Sequence, residues 1–534
     1  MRENVHRKPV VELLIYAILF IAGGAIFLTR SNFPTDWDAC QFVLGMERFS
    51  PVDHQPHPPG YFFFIQLAHL LKWLLHLDSH TALLLTSALG SALLVPAIFG
   101  LTGRLYPARL DIRIGAALLV LAAPTRLFFG AQALCYTWEG LFATLLVLTS
   151  LALDPQSDHR KTGPWLLWMA IFAFAGGFRP NLLLFFLPLG IWLAISRRWW
   201  EVLIGLVIFG LITWTWVIPS TMASDGLTPY LNAMRGHSDY FLKFGLGTGR
   251  VVDNVTALFN TPAAITGLHL VGWIIVLAAV RFSRSNIDNL NFKFNRHQQT
   301  VFLITGLTLF IFHTFIFFTF RYSLLYAPVL IPFFASLPGL ISDKLTIKIS
   351  MPPLRIAWVL PALLLVFSYY SFLTSNSIHS LSLIRAQERQ TKQVATFVRD
   401  LGEPDNTVLI TTRQFRRWGI ALSEYKTFYP MHAIYPPYLH PRLSAMQHLD
   451  TYMGDFFQPG APESDTLELS IDPDDPVLYI VLDQHARNNL LEPLDGWNIE
   501  RITSQENLYW QSFNTDVVLI DEFGGFSLLP VVPE

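Results

Sequence analysis

Apolar runs of about 20 residues recur along the first 374 residues of this chain, and that is the length an α-helix needs to cross the hydrocarbon core of a bilayer. About eleven such runs can be counted, starting near residues 10, 80, 112, 136, 164, 181, 200, 261, 300, 323 and 356. Only 14% of the 534 residues are charged, against roughly 25% in a soluble domain. A soluble core does not explain that deficit, so lipid is the solvent for most of the chain. The two runs across 164–196 are short, and "GGFRP" between them reads as a tight turn joining two spans.

Basic residues in the short loops set the expected orientation. Arg2, Arg7 and Lys8 precede the first run. Further basic groups fall in alternate connections: Arg104, Arg109 and Arg113; Arg160 and Lys161; Arg197 and Arg198; Arg281, Arg284, Lys293 and Arg296; and Lys344, Lys348 and Arg355. With eleven spans all of these share the N-terminal side, which is then cytoplasmic. Residues 30–79, 124–135, 178–181 and 220–260 lie outside, as does the tail after 374. Charge divides the chain at the same place, with net +9 over residues 1–374 and net −11 over 375–534. The expected domains are therefore 1–374, membrane-embedded, and 375–534, soluble and extracytoplasmic. In the tail, 381–402 reads as an amphipathic helix ended by Gly402. "NTVLITT", "DPVLYIVLD" and "TDVVLID" read as short buried strands, which predicts a small α/β or α+β domain.

Residues 60–77, "GYFFFIQLAHLLKWLLHL", are apolar enough to resemble a span. However, Gln66, His69, Lys72 and His76 recur at three- and four-residue spacing and form a polar stripe on one helical face. That pattern predicts a helix lying in the membrane interface. The net charge of −2 offers no basic surface for nucleic acid. Cys40 and Cys135 are the two cysteines, which excludes a disulfide framework and a cysteine-based zinc site. Both fall outside, so a disulfide between them and two buried thiols are both compatible with the compartment.

The outer face collects the unusual polar residues. In "PTDWDACQF", Asp36 and Asp38 open a short helix, the first of two interfacial ones expected after the first span. Thr35 and Asp38 have capping-box spacing, so Asp38 reads either as a capping acid or as a chemical group. Asp36 reads first as a cap or a surface acid. In "HQPHPPGY", the prolines enforce extended backbone and hold His54, His57 and Tyr61 in a stiff loop. Hydrogen-bonding histidines fit that loop better than metal ligands, because no partner has a firm ligand spacing. Arg126 closes the third span, Tyr136 and Glu139 start the fourth, Arg179 sits in the "GGFRPN" turn, and Arg321 and Tyr322 lie at another outer end. Ionisable residues at span ends are functional candidates. Three arginines on the side that positive-inside statistics disfavour point to an anionic ligand, with phosphate the natural match for a guanidinium fork.

An acid just after the first span leads into an interfacial helix, and Pro-Pro-Gly-Tyr opens a second. With a multi-span body and an exterior C-terminal domain, this resembles the GT-C glycosyltransferases of the protein O-mannosyltransferase and aminoarabinose-transferase superfamily. As motif the likeness rests on "DWDACQF", "HPPGYFFF", Pro124 with Tyr136 and Glu139, and "GGFRPN"; as architecture it covers about the first 375 residues. The resemblance implies a polyprenyl-phosphate sugar as donor and a lipid, glycan or protein as acceptor. It further implies a bacterial inner-membrane location, with Asp38 as catalytic base and Asp36 as the near alternative. Ala39 stands where that family commonly has Glu directly after the Asp, which leaves open whether Glu139 supplies a second acid. No metal is required by such chemistry, although a divalent ion is compatible with it. The rival reading is a lipid or sugar transporter, which would place charged or broken segments at mid-membrane.

Overall fold

A computed structural model describes residues 4–153, 162–245, 251–282, 294–316, 319–345, 358–375, 377, 379–404, 407–410, 415–428, 478–481, 500–504, 507–512 and 515–519. The helices, in chain order, are α1 (Asn4–Gly24), α2 (Trp37–Glu47), α3 (Phe62–Leu75), α4 (Ser79–Leu105), α5 (Leu110–Ala122), α6 (Pro124–Gly130), α7 (Tyr136–Ser150), α8 (Thr162–Phe178) and α9 (Asn181–Ile195). They continue with α10 (Trp199–Met222), α11 (Leu227–Gly245), α12 (Val251–Phe259), α13 (Thr261–Thr266), α14 (Leu270–Phe282), α15 (Arg296–Phe315), α16 (Ala327–Leu345), α17 (Val359–Thr374), α18 (Leu381–Leu401) and α19 (Phe415–Ala421). A 3-10 stretch, Phe320–Tyr326, leads into α16.

Among the described residues, five segments are long and apolar enough to cross a membrane: Val10–Thr29, Ser79–Leu105, Trp199–Met222, Arg296–Phe315 and Phe320–Pro338. The number rises to seven if two bent pairs each count as one span: Leu110–Ala122 with Pro124–Gly130, bent by 52°, and Val251–Thr266 with Leu270–Ala278, bent by 72°. Shorter apolar helices include α3, α8, α9 and α17. Large apolar side chains stand exposed along α1, α10 and α15, as lipid-facing surfaces require. The chain is an integral membrane protein.

It divides into two compact units. The first comprises residues 1–32, 61–219 and 239–384, and the second 33–60, 220–238 and 385–534. The central element of the first unit is α4, which Asp78 caps by accepting from Thr81 N at 2.9 Å. It packs against α1, α3, α5 and α7. At 27 residues it is about 40 Å long. Its middle, "TSALGS" (86–91), carries small and hydroxylated residues that admit close helix approach. A Cβ on Gly90 would lie 2.7 Å from Thr137 Oγ1 and 2.8 Å from Trp138 Cδ1. Between α8 and α9, the Arg179–Pro180 turn stands where "GGFRP" predicted one.

In the second unit, six short strands form one sheet: β1 (Thr407–Ile410), β2 (Lys426–Phe428), β3 (Leu478–Val481), β4 (Glu500–Ser504), β5 (Asn507–Ser512) and β6 (Thr515–Leu519). Their order is β2-β1-β3-β6-β5-β4, with the first four parallel and the β6–β5–β4 pairings antiparallel. β1, β3 and β6 coincide with the three strand-like stretches, and α18 with the amphipathic run. Val394, Ala395 and Val398 of α18 bury against Trp418, Leu422 and Tyr425.

Candidate active site

The site in the first unit is built around the start of α7. Ser87 Oγ donates to Leu134 O at 2.7 Å and accepts from Leu134 N at 3.0 Å. Thr137 Oγ1 donates to Ser87 O at 2.8 Å, and Trp138 Nε1 to Thr86 O at 2.9 Å. The polar seam of α4 thus fixes the first turn of α7, and with it Tyr136 and Glu139. Glu139 is fully buried. The α8–α9 turn brings Arg179 to it, and Arg179 Nε and Glu139 Oε1 form an ion pair. Arg179 Nη1 also donates to Cys135 Sγ at 3.2 Å.

Three tyrosine rings surround this guanidinium, with centroids at 4.7 Å (Tyr136), 5.2 Å (Tyr61) and 5.4 Å (Tyr322). Cation–π attraction gains from such desolvation. Tyr61 reaches its place through a left-handed backbone, with φ 49° after Gly60 at φ 107°. Such a conformation costs a bulky residue about 1–3 kcal/mol and persists where the surroundings dictate it. Arg321 is half-buried; its Nη1 donates to Tyr136 Oη at 3.3 Å. Beside it, His379 stacks on Phe320 at 3.8 Å and meets Phe128 edge-on at 5.0 Å. Burial, followed by the Arg321 charge, pushes the His379 pKa down to about 4.

Of the candidates named from the sequence, the fold brings Glu139, Arg179, Tyr61, Tyr136, Arg321 and Tyr322 together. One expectation needs correction here. Arg126 was grouped with the surface arginines, but it is wholly buried, and Arg179 is 5% exposed. The bend after α5 leaves helix-end carbonyls to be satisfied. Arg126 does so, donating to Leu121 O at 2.8 Å and Gly23 O at 2.9 Å. Of the two arrangements open to the cysteines, the structure has buried thiols with no disulfide between them. Cys40 Sγ donates to Pro34 O at 3.1 Å, and Cys135 serves Arg179.

The second unit holds the other candidates. Asp36, not Thr35, is the N-cap of α2, and its carboxylate accepts from Asp38 N at 2.9 Å. Asp38 is then the second helical residue, so the capping box expected from Thr35 does not form. Two adjacent residues could each cap, and the acid does. Both aspartates are partly exposed. His54 and His57 are buried, with ring centroids 6.5 Å apart. Asp53 is buried too, accepting from Arg48 Nη2 at 2.9 Å and Ser50 Oγ at 2.7 Å. Among the described residues, no three or more His, Cys, Asp or Glu side chains gather as a metal site.

No family model matches the chain, and no curated protein matches it in sequence. Its fold is similar to that of ArnT from Cupriavidus metallidurans in the apo state, at TM-score 0.55 and 11% identity, over 94% of this chain and 97% of that one. The same protein bound to undecaprenyl phosphate matches at TM-score 0.52 and 11% identity, over 79% of this chain and 85% of that one. An Archaeoglobus fulgidus oligosaccharyltransferase in complex with zinc and sulfate gives TM-score 0.42 at 14% identity, over 77% of this chain and 62% of that one. ArnT is an aminoarabinose transferase of the GT-C fold. The chain, a helical polytopic membrane protein, has that GT-C fold.

Proposed function

We propose that this chain is a membrane glycosyltransferase that moves a sugar from a polyprenyl-phosphate donor to an acceptor on the extracytoplasmic face. The observation that carries the reading is the buried Glu139–Arg179 pair ringed by Tyr61, Tyr136 and Tyr322, with the half-buried Arg321 bonded to Tyr136. Undecaprenyl phosphate bound to a protein of this fold supports the donor class. Arg179 is committed to Glu139, so the donor phosphate is assigned first to Arg321. Glu139 holds Arg179 in place and is not the base.

Asp38 takes that role, accepting the proton of an acceptor hydroxyl or amine as it attacks the anomeric carbon. The new glycosidic bond forms as the bond to the phosphate oxygen breaks, inverting the anomeric centre. Polyprenyl phosphate departs with an added negative charge that Arg321 stabilises. The leaving group is a phosphate monoester, and an arginine is sufficient counter-charge for it without a metal.

The topology belongs to the same proposal. The five long segments, the two bent pairs, α7, α8, α9 and α17 together make eleven spans. The N-terminus is then cytoplasmic in a bacterial inner membrane, α2 and α3 lie in the outer interface, and the sheet belongs to an extracytoplasmic α/β domain. The polar stripe of Gln66, His69 and Lys72 on α3 is what keeps it in the interface rather than across the membrane.

The two bent helix pairs are the feature a lipid or sugar transporter would share. Purified protein in lipid, given polyprenyl-phosphate sugars, separates the readings. Release of free polyprenyl phosphate with sugar moved to an acceptor supports the enzyme, whereas flipping of intact donor without bond cleavage overturns it. Turnover that persists in EDTA is the expected result.

A further inference from the structure

The loop of the second unit contains a histidine whose protonation pattern is fixed by geometry. Gln41 lies in α2, three residues after Asp38, so the two side chains share a helical face. Gln41 is 1% exposed. Its Oε1 lies 3.0 Å from the backbone N of His57 and also contacts His57 Nδ1. A backbone N–H only donates, so the amide atom that it meets must be the acceptor oxygen. An oxygen that accepts from the backbone can meet Nδ1 favourably only if Nδ1 also carries a hydrogen. The neutral ring of His57 is therefore the Nδ1–H tautomer, and its basic lone pair is on Nε2.

The loop reinforces this orientation. Gly60 N donates to His57 O at 3.0 Å, and Tyr230 Oη donates to Pro59 O at 2.9 Å. A Cβ on Gly45 would lie 2.7 Å from Pro56 Cδ, so α2 and the loop are in close contact along the same stretch. The ring of Phe42 lies 6.1 Å from that of His57. Together these contacts hold the imidazole of His57 in one orientation.

We infer that Gln41 is a positioning residue that holds His57 as an Nε2 base, and that His57 is the second proton acceptor of the reaction, working after Asp38. The inference rests on the glycosyltransferase reading above. When the acceptor attacks, its proton passes to the Asp38 carboxylate, and from there to His57 Nε2. The carboxylate is thereby restored and an imidazolium formed, which releases the proton to water once product has left. The titratable and charged groups that the surrounding elements bring to this region are Asp36, Asp38 and Glu47 on α2, Arg48 with Asp53, His54, Tyr230 on α11, and Arg417 on α19, which packs against α2.

The first test needs no activity. In full-length protein in lipid, nitrogen-15 spectra of labelled histidine, with His57 assigned by loss of its signal in His57→Gln, should show a protonated Nδ1 and a bare Nε2 at pH 8. Gln41→Leu should mix the tautomers. An Nε2–H signal in the wild type overturns the inference whether or not the protein is a transferase. The second test is the pH profile of sugar transfer. Gln41→Glu places a carboxylate against Nδ1–H and should raise the pKa that governs the acid limb by about one to three units. His57→Gln should lower turnover about a hundred-fold or more with little change in donor KM. An unmoved acid limb in Gln41→Glu overturns the relay, even if Asp38→Asn is inactive and the transferase reading stands.

Discussion

Two acids of this protein were both read from the sequence as chemical candidates, yet they sit in opposite environments. Glu139 is fully buried, and a guanidinium with three aromatic rings around it compensates its charge. Asp38 stands in the first turn of α2, partly exposed, with its backbone N–H already satisfied by Asp36. A buried charge with a dedicated partner is expensive to change and poorly placed to trade protons with a substrate. A partly exposed carboxylate in the first turn of a helix is within reach of a substrate proton. The proposed reaction uses that difference, with Glu139 as a structural counter-ion and Asp38 as the proton acceptor.

The strongest way to break that contrast is to neutralise Asp38. Asp38→Asn should cost about a hundred- to ten-thousand-fold in sugar transfer with thermal stability unchanged, measured on protein in lipid. Equal turnover would remove it from the mechanism. Glu139→Gln should instead lose stability, by about 3–5 kcal/mol, because Arg179 is left as a buried charge without its counter-ion. Glu139→Gln combined with Arg179→Met should recover much of that loss in the same unfolding assay. If the single variant melts like wild type, the pair is not the compensated unit described above.

Gly90→Ala sharpens the same side of the comparison. The added methyl meets Thr137 and Trp138 at under 3 Å and should cost about 1–3 kcal/mol by forcing α4 and α7 apart. Activity should fall with it, since Tyr136 and Glu139 ride on that helix. On the other side, Asp36→Ala removes a helix cap and should cost about 0.5–2 kcal/mol. Asp36→Ser should restore most of it, which a catalytic role for Asp36 would not allow.

The smallest effect concerns pH. Burial and Arg321 hold the His379 pKa down at about 4. The unfolded chain therefore binds a proton between about pH 6.5 and 4 that the folded chain refuses, so stability falls as pH drops through that window. Arg321→Gln should raise the His379 pKa and soften that decline in a thermal melt series.

Helix positions were legible because apolar runs are local signals, and the polar cluster at the start of α7 was conspicuous because ionisable groups are rare at such helix ends. The partnership of Glu139 with Arg179 was not legible, since it depends on how α7 meets the α8–α9 turn. Arg126 was misplaced for the same reason: nothing local shows which helix-end carbonyls a bend will expose. The cap of α2 was ambiguous by one residue because Thr35 and Asp36 both suit it. Gln41 gave a faint signal, a polar residue one turn after Asp38 on an otherwise apolar face. His379 gave none, lying in a serine-rich segment without periodicity.

The second compact unit is assembled from three stretches of chain, 33–60, 220–238 and 385–534, so the backbone passes from one unit to the other five times. A truncation at residue 384 therefore does not excise a module. It strands two inner stretches, one of which carries Asp36, Asp38 and His57, without the 150 residues they are grouped with. Expressed alone, the tail would likewise lack those stretches, and neither half is a fair stand-in for the intact protein.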